Sequence, residues 1–503
     1  MILKNFAGRV LDSKHFRSLW QSSSFGFVVR FFPQSTKQHL KTLYRRILVT
    51  PTMILRTCAN VDLWDHSKPI LSVVIPCHNH GEYIREALLS LELQTFKDFE
   101  TLIVDDGSND DYTLRTLEYL RSQGVRVLHQ DKLNVAAALN YGISVARGKY
   151  VCCFAADDRL EPTYFEKCLC LLEANPGVSF AYSLVRTFGD ENRIWMTEQF
   201  DLRMLLEYNH VCATAVFVRA IWEQVGGFDA TLDGYEDWNF WIKAGKAGFR
   251  GALIPEVLFN YRRHGMTLNR QSDRRSQRLI DHIKRNHAIL FSHPGQIKKI
   301  QNHYRDITTP QPFLNISLKE QYNDSKKDTI VILASVRGLR TAALSLGKTS
   351  LTSLSTRARV LFVSTDTTTY EMDESLRDLS DQAYFVSRFL DSRGWLAFVL
   401  NLIATRDAEL VIISDSHSAY EWASAIRTRT SAKIVDILQD ETDCRLSAQH
   451  DELIDLHVAT TEYVHQLALR SFFIPRVKIR LLSGAYSRIN SRNEPLAIAR
   501  NYN

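Results

Sequence analysis

Residues 71–108 read LSVVIPCHNHGEYIREALLSLELQTFKDFETLIVDDGS. An apolar run from Leu71 to Ile75 stops at Pro76. A polar loop and a helical pattern follow, and a second apolar run ends in Asp105–Asp106, with Gly107–Ser108 behind it. The stretch predicts a strand–loop–helix–strand unit with polar groups at the carboxyl ends of both strands. In open α/β sheets that edge is where ligands bind, so the same residues predict a fold and a place for chemistry.

Working outward, strand-like runs alternate with helical patterns as far as about residue 270. Strands are predicted at 71–76, 100–105, 125–129, 149–154, 178–184 and 213–218, and helices at 81–94, 111–123, 132–146 and 162–174. Such alternation implies an α/β fold with a mostly parallel sheet covered on both faces. Residues 272–303 read as polar, basic helix, and 304–328 as a linker with Pro310, Pro312 and the run NDSKKD. A second α/β pattern starts at Thr329, with TIVILAS, ARVLFVS, AELVIIS, AKIVDIL and DLHVAT as five strand-like runs. The expected organisation is a basic amphipathic segment at 1–66, a first α/β domain with trailing helices at 67–303, a linker at 304–328 and a Rossmann-like domain at 329–503.

Composition bounds the function class. A 503-residue chain is too long for one ordinary core, and 23% charged with 45% hydrophobic residues is ordinary for a globular protein. The net charge of +6 is mild, and no nucleic-acid partner is expected. Residues 1–60 hold ten Lys or Arg against one carboxylate, Asp12, interleaved with aromatics such as Phe16, Trp20 and Phe31. Three readings stay open for that segment: contact with an anionic membrane surface, a solvated helical extension, or a transit peptide. No apolar run approaches the roughly 20 residues that span a bilayer. The eight cysteines show no paired CxxC spacing and read as reduced core residues, which points to the cytoplasm. A peripheral place on the inner membrane face is the accompanying expectation.

Four polar clusters fall at predicted strand ends: Pro76-Cys-His-Asn79 with Glu82; Asp105-Asp106-Gly-Ser108; Ala155-Ala-Asp157-Asp158; and Gly226-Gly-Phe-Asp229 followed by Tyr235-Glu236-Asp237-Trp and Tyr261-Arg-Arg-His264. Any single Asp pair at a strand end is more often a turn or helix cap than a ligand site. Their order and spacing change that balance. Together VVIPCHN, VDDGS, NVAAALNYGISVARGKYV, FAADDRLEP, GGFD, YEDW and YRRHG resemble the family 2 glycosyltransferases of the GT-A fold, over about 200 residues in the right order. The carboxyl-terminal pattern more loosely resembles the amino-terminal half of family 4 glycosyltransferases, which have the GT-B fold.

The first resemblance implies a nucleotide-diphosphate sugar donor, a glycan or lipid-linked acceptor, and a divalent cation, Mn²⁺ or Mg²⁺. By that resemblance Asp106 accepts from the donor base, with Asp105 either the alternative or a turn cap. Pro76, Asn79, Glu82 and Asn134 shape the donor pocket. Asp157, with Asp158 beside it and His264 as a further contact, holds the metal under the diphosphate. Ala155 is a departure, since it stands where the metal motif's first carboxylate usually stands. The acceptor's base is Asp237 first and Glu236 second, because two adjacent carboxylates at a helix start cannot face one point; the bland reading is a helix start favoured by the dipole. Inversion of the anomeric centre is implied. Tyr208, His210, Trp238 and Trp241 are expected on the acceptor side, with Trp241 leaning to core. The reaction fits surface-polysaccharide synthesis. Two competing readings are a non-catalytic nucleotide-sugar or glycan-binding module, and a nucleotidyltransferase. The latter is disfavoured because CHNHGEY is not a Gly- and Arg/Lys-rich loop.

Overall fold

The computed structural model describes residues 69–195, 197–265, 275–293, 295, 329–335, 338, 358–366 and 382–482. The expected basic segment and linker lie outside them. The first unit runs β1 (Leu71–Cys77), α1 (Ile84–Glu92), β2 (Phe99–Asp106), α2 (Asp111–Ser122), β3 (Arg126–Gln130), α3 (Val135–Ser144), β4 (Tyr150–Cys153), β5 (Arg159–Leu160), α4 (Tyr164–Ala174), β6 (Phe180–Gly189), β7 (Ile194–Trp195), α5 (Leu202–Leu205), β8 (Val216–Val218), α6 (Arg219–Val225), α7 (Glu236–Ala247) and β9 (Gly251–Arg263). Two helices trail it, α8 (Ser276–Asn286) and α9 (Ala288–Ser292).

In space the strands lie in the order β3-β2-β1-β4-β8-β6-β9-β5, with β7 on β6. The β3-β2-β1-β4 half is parallel, as the alternation of strand and helix patterns predicts. The other half is mixed rather than mostly parallel. β8 runs against both β4 and β6, and β5 runs against β9. β9 escapes the sequence reading because Pro255 interrupts it. Its register on β6 shifts beside Ser183 and Leu184, so that Pro255 and Glu256 fall in a bulge. A bulge is where a strand tolerates a residue that cannot donate to the ladder. The strand resumes and ends at Arg263, next to His264.

The second unit is a sheet of seven parallel strands in the order β12-β11-β10-β13-β14-β15-β16. Its elements are β10 (Thr329–Ala334), β11 (Arg359–Ser364), β12 (Gln382–Phe385), α10 (Ser392–Thr405), β13 (Ala408–Ser414), α11 (His417–Arg429), β14 (Lys433–Leu438), α12 (Glu441–Gln449), β15 (Leu456–Ala459), α13 (Glu462–Arg470) and β16 (Ile479–Leu481). All five expected runs are strands, joined by β12 and β16. Many parallel α/β folds share such a sheet, so it does not single out half of a GT-B enzyme. Its strand-end polar residues serve local structure: Asp440 caps α12 through Thr442 and Asp443, and exposed His417 sits 3.4 Å from Glu421 one turn on.

The helix α4 joins the two units. All of its residues except Glu173 are buried, including Glu166 and Lys167, which a helix with only one neighbour does not achieve. One apolar cluster runs from Leu71 and Phe165 through Tyr384, Phe398 and Val411. Across this shared layer Arg406 Nη2 donates to both carboxylate oxygens of Glu166 at 3.0 and 3.1 Å, and Lys167 Nζ donates to Ala383 O at 2.8 Å. Seven cysteines are described, all as free thiols and nearly all buried. Among the described residues, no helix is long and apolar enough to cross a membrane.

Candidate active site at the carboxyl edge of the first sheet

The ends of β1, β2, β4 and β9 meet on one edge. β1 pairs with β2 so that Cys77 stands opposite Asp105, and with β4 so that Val74 stands opposite Cys153. The Cys77 thiol reports the charge gathered there. Burial pushes its pKa up to about 12, with the carboxylates of Asp105, Asp110 and Asp157 adding to the rise.

Asp105 and Asp106 do different work. Asp105 Oδ1 accepts the Ser108 N–H at 3.0 Å and Oδ2 meets His129 Nδ1 at 2.9 Å, so this carboxylate shapes the turn. Asp106 Oδ1 accepts from Gln130 Nε2 (2.7 Å) and the Leu133 N–H (2.9 Å), and Oδ2 takes the exposed ammonium of Lys132 at 2.9 Å. Burial alone would raise the Asp106 pKa. The bonds from Leu133, Lys132 and Gln130 outweigh it and hold the group ionised below its ordinary range. Gly107 makes the close approach feasible: its φ is +63°, and a Cβ there would sit 2.6 Å from the Lys132 backbone nitrogen.

Pro76 lies within β1, and Asn79 follows at φ 57°. The Asn79 N–H donates to Ser108 Oγ at 3.0 Å, its Nδ2 to Asn109 Oδ1 at 2.8 Å, and its Oδ1 accepts from the Asn109 N–H at 2.9 Å. Asn79 thus fastens the loop after β1 to the loop after β2. Glu82 is exposed beyond it. Asn134 caps α3 through the Ala137 N–H (2.9 Å) and donates to Ala230 O (2.8 Å), tying that helix to the glycine turn. Both asparagines position loops around the edge.

Asp157 follows β4. Its Oδ2 lies 3.0 Å from His264 Nε2, delivered by the end of β9. His80, from the loop after β1, completes a group of three whose ligand atoms all lie within 4.8 Å of one another. Burial would raise the Asp157 pKa, but His264 and His80 pull it below the ordinary carboxylate range. Burial lowers that of His80, leaving a neutral imidazole at pH 7. Asp158 turns elsewhere. Its Oδ1 accepts the Arg262 N–H at 2.7 Å, and burial together with the Asp157 charge pushes its pKa well above the carboxylate range. The structure therefore separates the two neighbours that the sequence places together. Arg262 also donates to Asp157 O at 2.6 Å and pairs with Glu86 of α1, bracing the loop.

Glu236 and Asp237 open α7, behind Tyr235 at φ 56°. Asp237 Oδ1 accepts its own helix's Trp238 N–H at 2.8 Å, and Asn209 Nδ2 donates to Oδ2 at 3.0 Å. Desolvation raises the Asp237 pKa despite those bonds, and desolvation plus the Asp237 charge lifts Glu236 to about 8. The turn that leads into α7 is tied to this edge through Asn134 Nδ2, which donates to Ala230 O at 2.8 Å. Trp238 and Trp241 are both core. Trp238 Nε1 donates to Leu205 O at 2.6 Å, and Trp241 stacks on Phe180 at 4.7 Å. Their three-residue spacing puts them on the one helix face that packs inward. His210 is buried and accepts the Asp201 N–H at 3.3 Å, while Tyr208 is exposed and donates to Glu198 at 3.0 Å. Of the four expected acceptor-side groups, Tyr208 is the one on the surface. Sequence reading misses His80, Asn209 and Arg262. His80 lies in the quoted opening stretch, but only the β1–β4 pairing and the far end of β9 bring it to Asp157.

Residues 72–235 match Glycosyl transferase family 2. The amylovoran biosynthesis glycosyltransferase AmsB of Erwinia amylovora is 32% identical over 207 residues, covering 38% of this chain and 68% of AmsB. The chain belongs to glycosyl transferase family 2. A Haemophilus influenzae glycosyltransferase is 26% identical over 305 residues, covering 57% of this chain and 89% of its own length. The chondroitin synthase of Pasteurella multocida is 25% identical over 247 residues, covering 48% of this chain. The family 2 chain spans only 25% of that synthase's length. The described edge, with ionised Asp106, the His80–Asp157–His264 group and the raised carboxyl pair, is the candidate active site of this family 2 chain. Two imidazoles and a carboxylate form a donor set that suits a divalent transition metal.

Proposed function

We propose that the first unit transfers a sugar from a nucleotide-diphosphate sugar to a hydroxyl of a glycan or lipid-linked acceptor, with inversion, in surface-polysaccharide synthesis. The observation that carries the reading is the convergence of three chemically distinct groups on one sheet edge. Asp106, kept ionised, accepts the ring N–H of the donor base, displacing the exposed Lys132. Asp157 and His264 would hold a divalent cation, whose chemistry is to neutralise charge developing on the diphosphate leaving group. Asp237 takes the proton of the attacking hydroxyl. Its raised pKa makes it a stronger base than an ordinary aspartate, and Asn209 fixes its Oδ2. Glu236, protonated at pH 7, keeps a second negative charge away from Asp237. A base opposite the leaving group gives in-line attack and inversion. Tyr208 offers an exposed aromatic face beside Asn209 for the acceptor ring.

The test is a transfer assay on the full chain across several nucleotide sugars with Mn²⁺ or Mg²⁺, for wild type, Asp157→Asn and Asp237→Asn. Loss of transfer in both variants with an unchanged fold supports the assignment. Full activity in both overturns it.

A further inference from the structure

We propose that His80 is a metal ligand beside Asp157 and His264, in a motif that carries Ala155 in place of a carboxylate, and that the resulting site selects a first-row transition metal over Mg²⁺ and Ca²⁺. The inference rests on the family reading of Asp157 and His264 and adds a ligand and a metal class to it.

The loop after β1 is built to aim this ring. The His80 backbone amide bonds the buried Cys77 thiol, and its carbonyl accepts the Tyr83 and Ile84 N–H groups at 2.9 and 3.0 Å, starting α1. The His80 backbone is thus fixed at the strand end. Its ring meets that of His264 edge to face at 6.1 Å, and Tyr83 backs His264 at 4.6 Å. Asp157 Oδ2 and His264 Nε2 already stand 3.0 Å apart, a normal spacing for two donors on one ion. His80 stays within 4.8 Å of both, so its ring needs to close by roughly 1–2 Å to reach metal–nitrogen distances of about 2.1 Å. Arg262, donating to the Asp157 carbonyl, supplies the outer support that orients a ligating residue.

The chemistry of the set decides the metal. A pair of carboxylates offers hard oxygen donors, which suit Mg²⁺ and Ca²⁺. Replacing one by imidazole leaves one carboxylate and two nitrogen donors. Affinity at such a site follows the order Mn²⁺ below Co²⁺ below Zn²⁺, and Mg²⁺, which demands oxygen and keeps its water, falls below all three.

The experiment is calorimetric titration of the full chain, without donor, by MnCl₂, CoCl₂ and MgCl₂, with the visible spectrum of the Co²⁺ form as a second readout. Wild type is expected to bind Co²⁺ and Mn²⁺ at least tenfold more tightly than Mg²⁺. His80→Ala should lose tenfold or more in Co²⁺ affinity and shift the Co²⁺ bands, with Mg²⁺ affinity little changed. His80→Gln, closer in size, guards against a packing effect and should lose the same preference, while circular dichroism confirms that both variants are folded. Equal affinities for Mg²⁺ and Mn²⁺ in wild type, or Co²⁺ binding and bands unchanged in both variants, overturn the proposal. Because no donor is present, metal selectivity without any sugar transfer would sink the catalytic reading alone. Transfer with metal binding indifferent to His80 would sink this proposal alone.

Discussion

Arg406→Met tests whether the shared layer between the two sheets is a single structural unit. Glu166 of α4 and Arg406 have side chains with no exposure, and they meet through two N–H···O contacts. Glu166 also accepts from Thr95 Oγ1 at 2.6 Å and Tyr384 OH at 2.7 Å. Removing the guanidinium leaves a carboxylate sealed away from water, which costs about 3–5 kcal/mol when one partner of a buried pair is deleted. The two remaining hydroxyl donors place the loss towards the lower end, about 3 kcal/mol. Replacing both partners, as Glu166→Gln with Arg406→Met, removes both buried charges and is expected to cost only about 0–2 kcal/mol. The double variant should therefore be more stable than Arg406→Met alone. The assay is urea unfolding followed by tryptophan fluorescence, each transition fitted separately because a chain of this size need not unfold in one step. A loss below about 1 kcal/mol in Arg406→Met, or a double variant less stable than the single, would refute the buried pairing.

Two further outcomes follow from titrating groups. Glu236 has a folded pKa of about 8, above its unfolded value, so its protonated form stabilises the fold at low pH and that stability is lost as pH rises towards 8. Glu236→Gln should accordingly raise the melting temperature at pH 9 and change it little at pH 4, which calorimetry across that range checks; the same gain at both values would contradict the shift. His457 is fully buried between Asp436 and Asp451, 2.9 Å from each. Burial lowers its pKa, but the two carboxylate bonds outweigh it and raise the net value, so its stabilisation is complete below the ordinary pH of about 6.5 and lost as pH rises through the folded pKa. The histidine ring resonances should titrate above that pH by NMR; a midpoint below it would exclude the charged pairing.

Strands β1, β2 and β4 of the first sheet were legible because they are buried on both faces and so read as apolar runs ending in Pro76, Asp105–Asp106 and Ala155–Asp158. The same holds for β10 and β11 of the second sheet, while β13, β14 and β15 are partly covered but still read as apolar runs. β9 was not legible because its bulge at Pro255 breaks the run, and only the pairing with β6 restores it. The individual site residues divide in the same way. Asp106 and Asp157 stand at legible strand ends, and the family resemblance of the motifs around them singles them out there. The separate fates of Asp105 and Asp158 depend on backbone direction at single residues, and the alliance of His80 with His264 depends on two strands far apart in the chain. Trp238 could not be told from a sugar platform in sequence, because an aromatic pair three apart fits either role, whereas Trp241 already leaned to core. The burial of α4 on nearly every side reflects a second sheet that no local pattern in that helix announces.

The central claim, that this edge transfers sugar with Asp237 as base, is tested most directly by measuring donor affinity and transfer rate together in Asp237→Asn. The substitution keeps the Trp238 and Asn209 side of the loop nearly isosteric while removing the proton acceptor. Loss of a general base costs about 10²–10⁴-fold in rate. A loss of that size is expected with nucleotide-sugar affinity unchanged, and wild type is expected to release product with inverted configuration. A wild-type transfer rate in Asp237→Asn, or product that retains the donor's configuration, would contradict it.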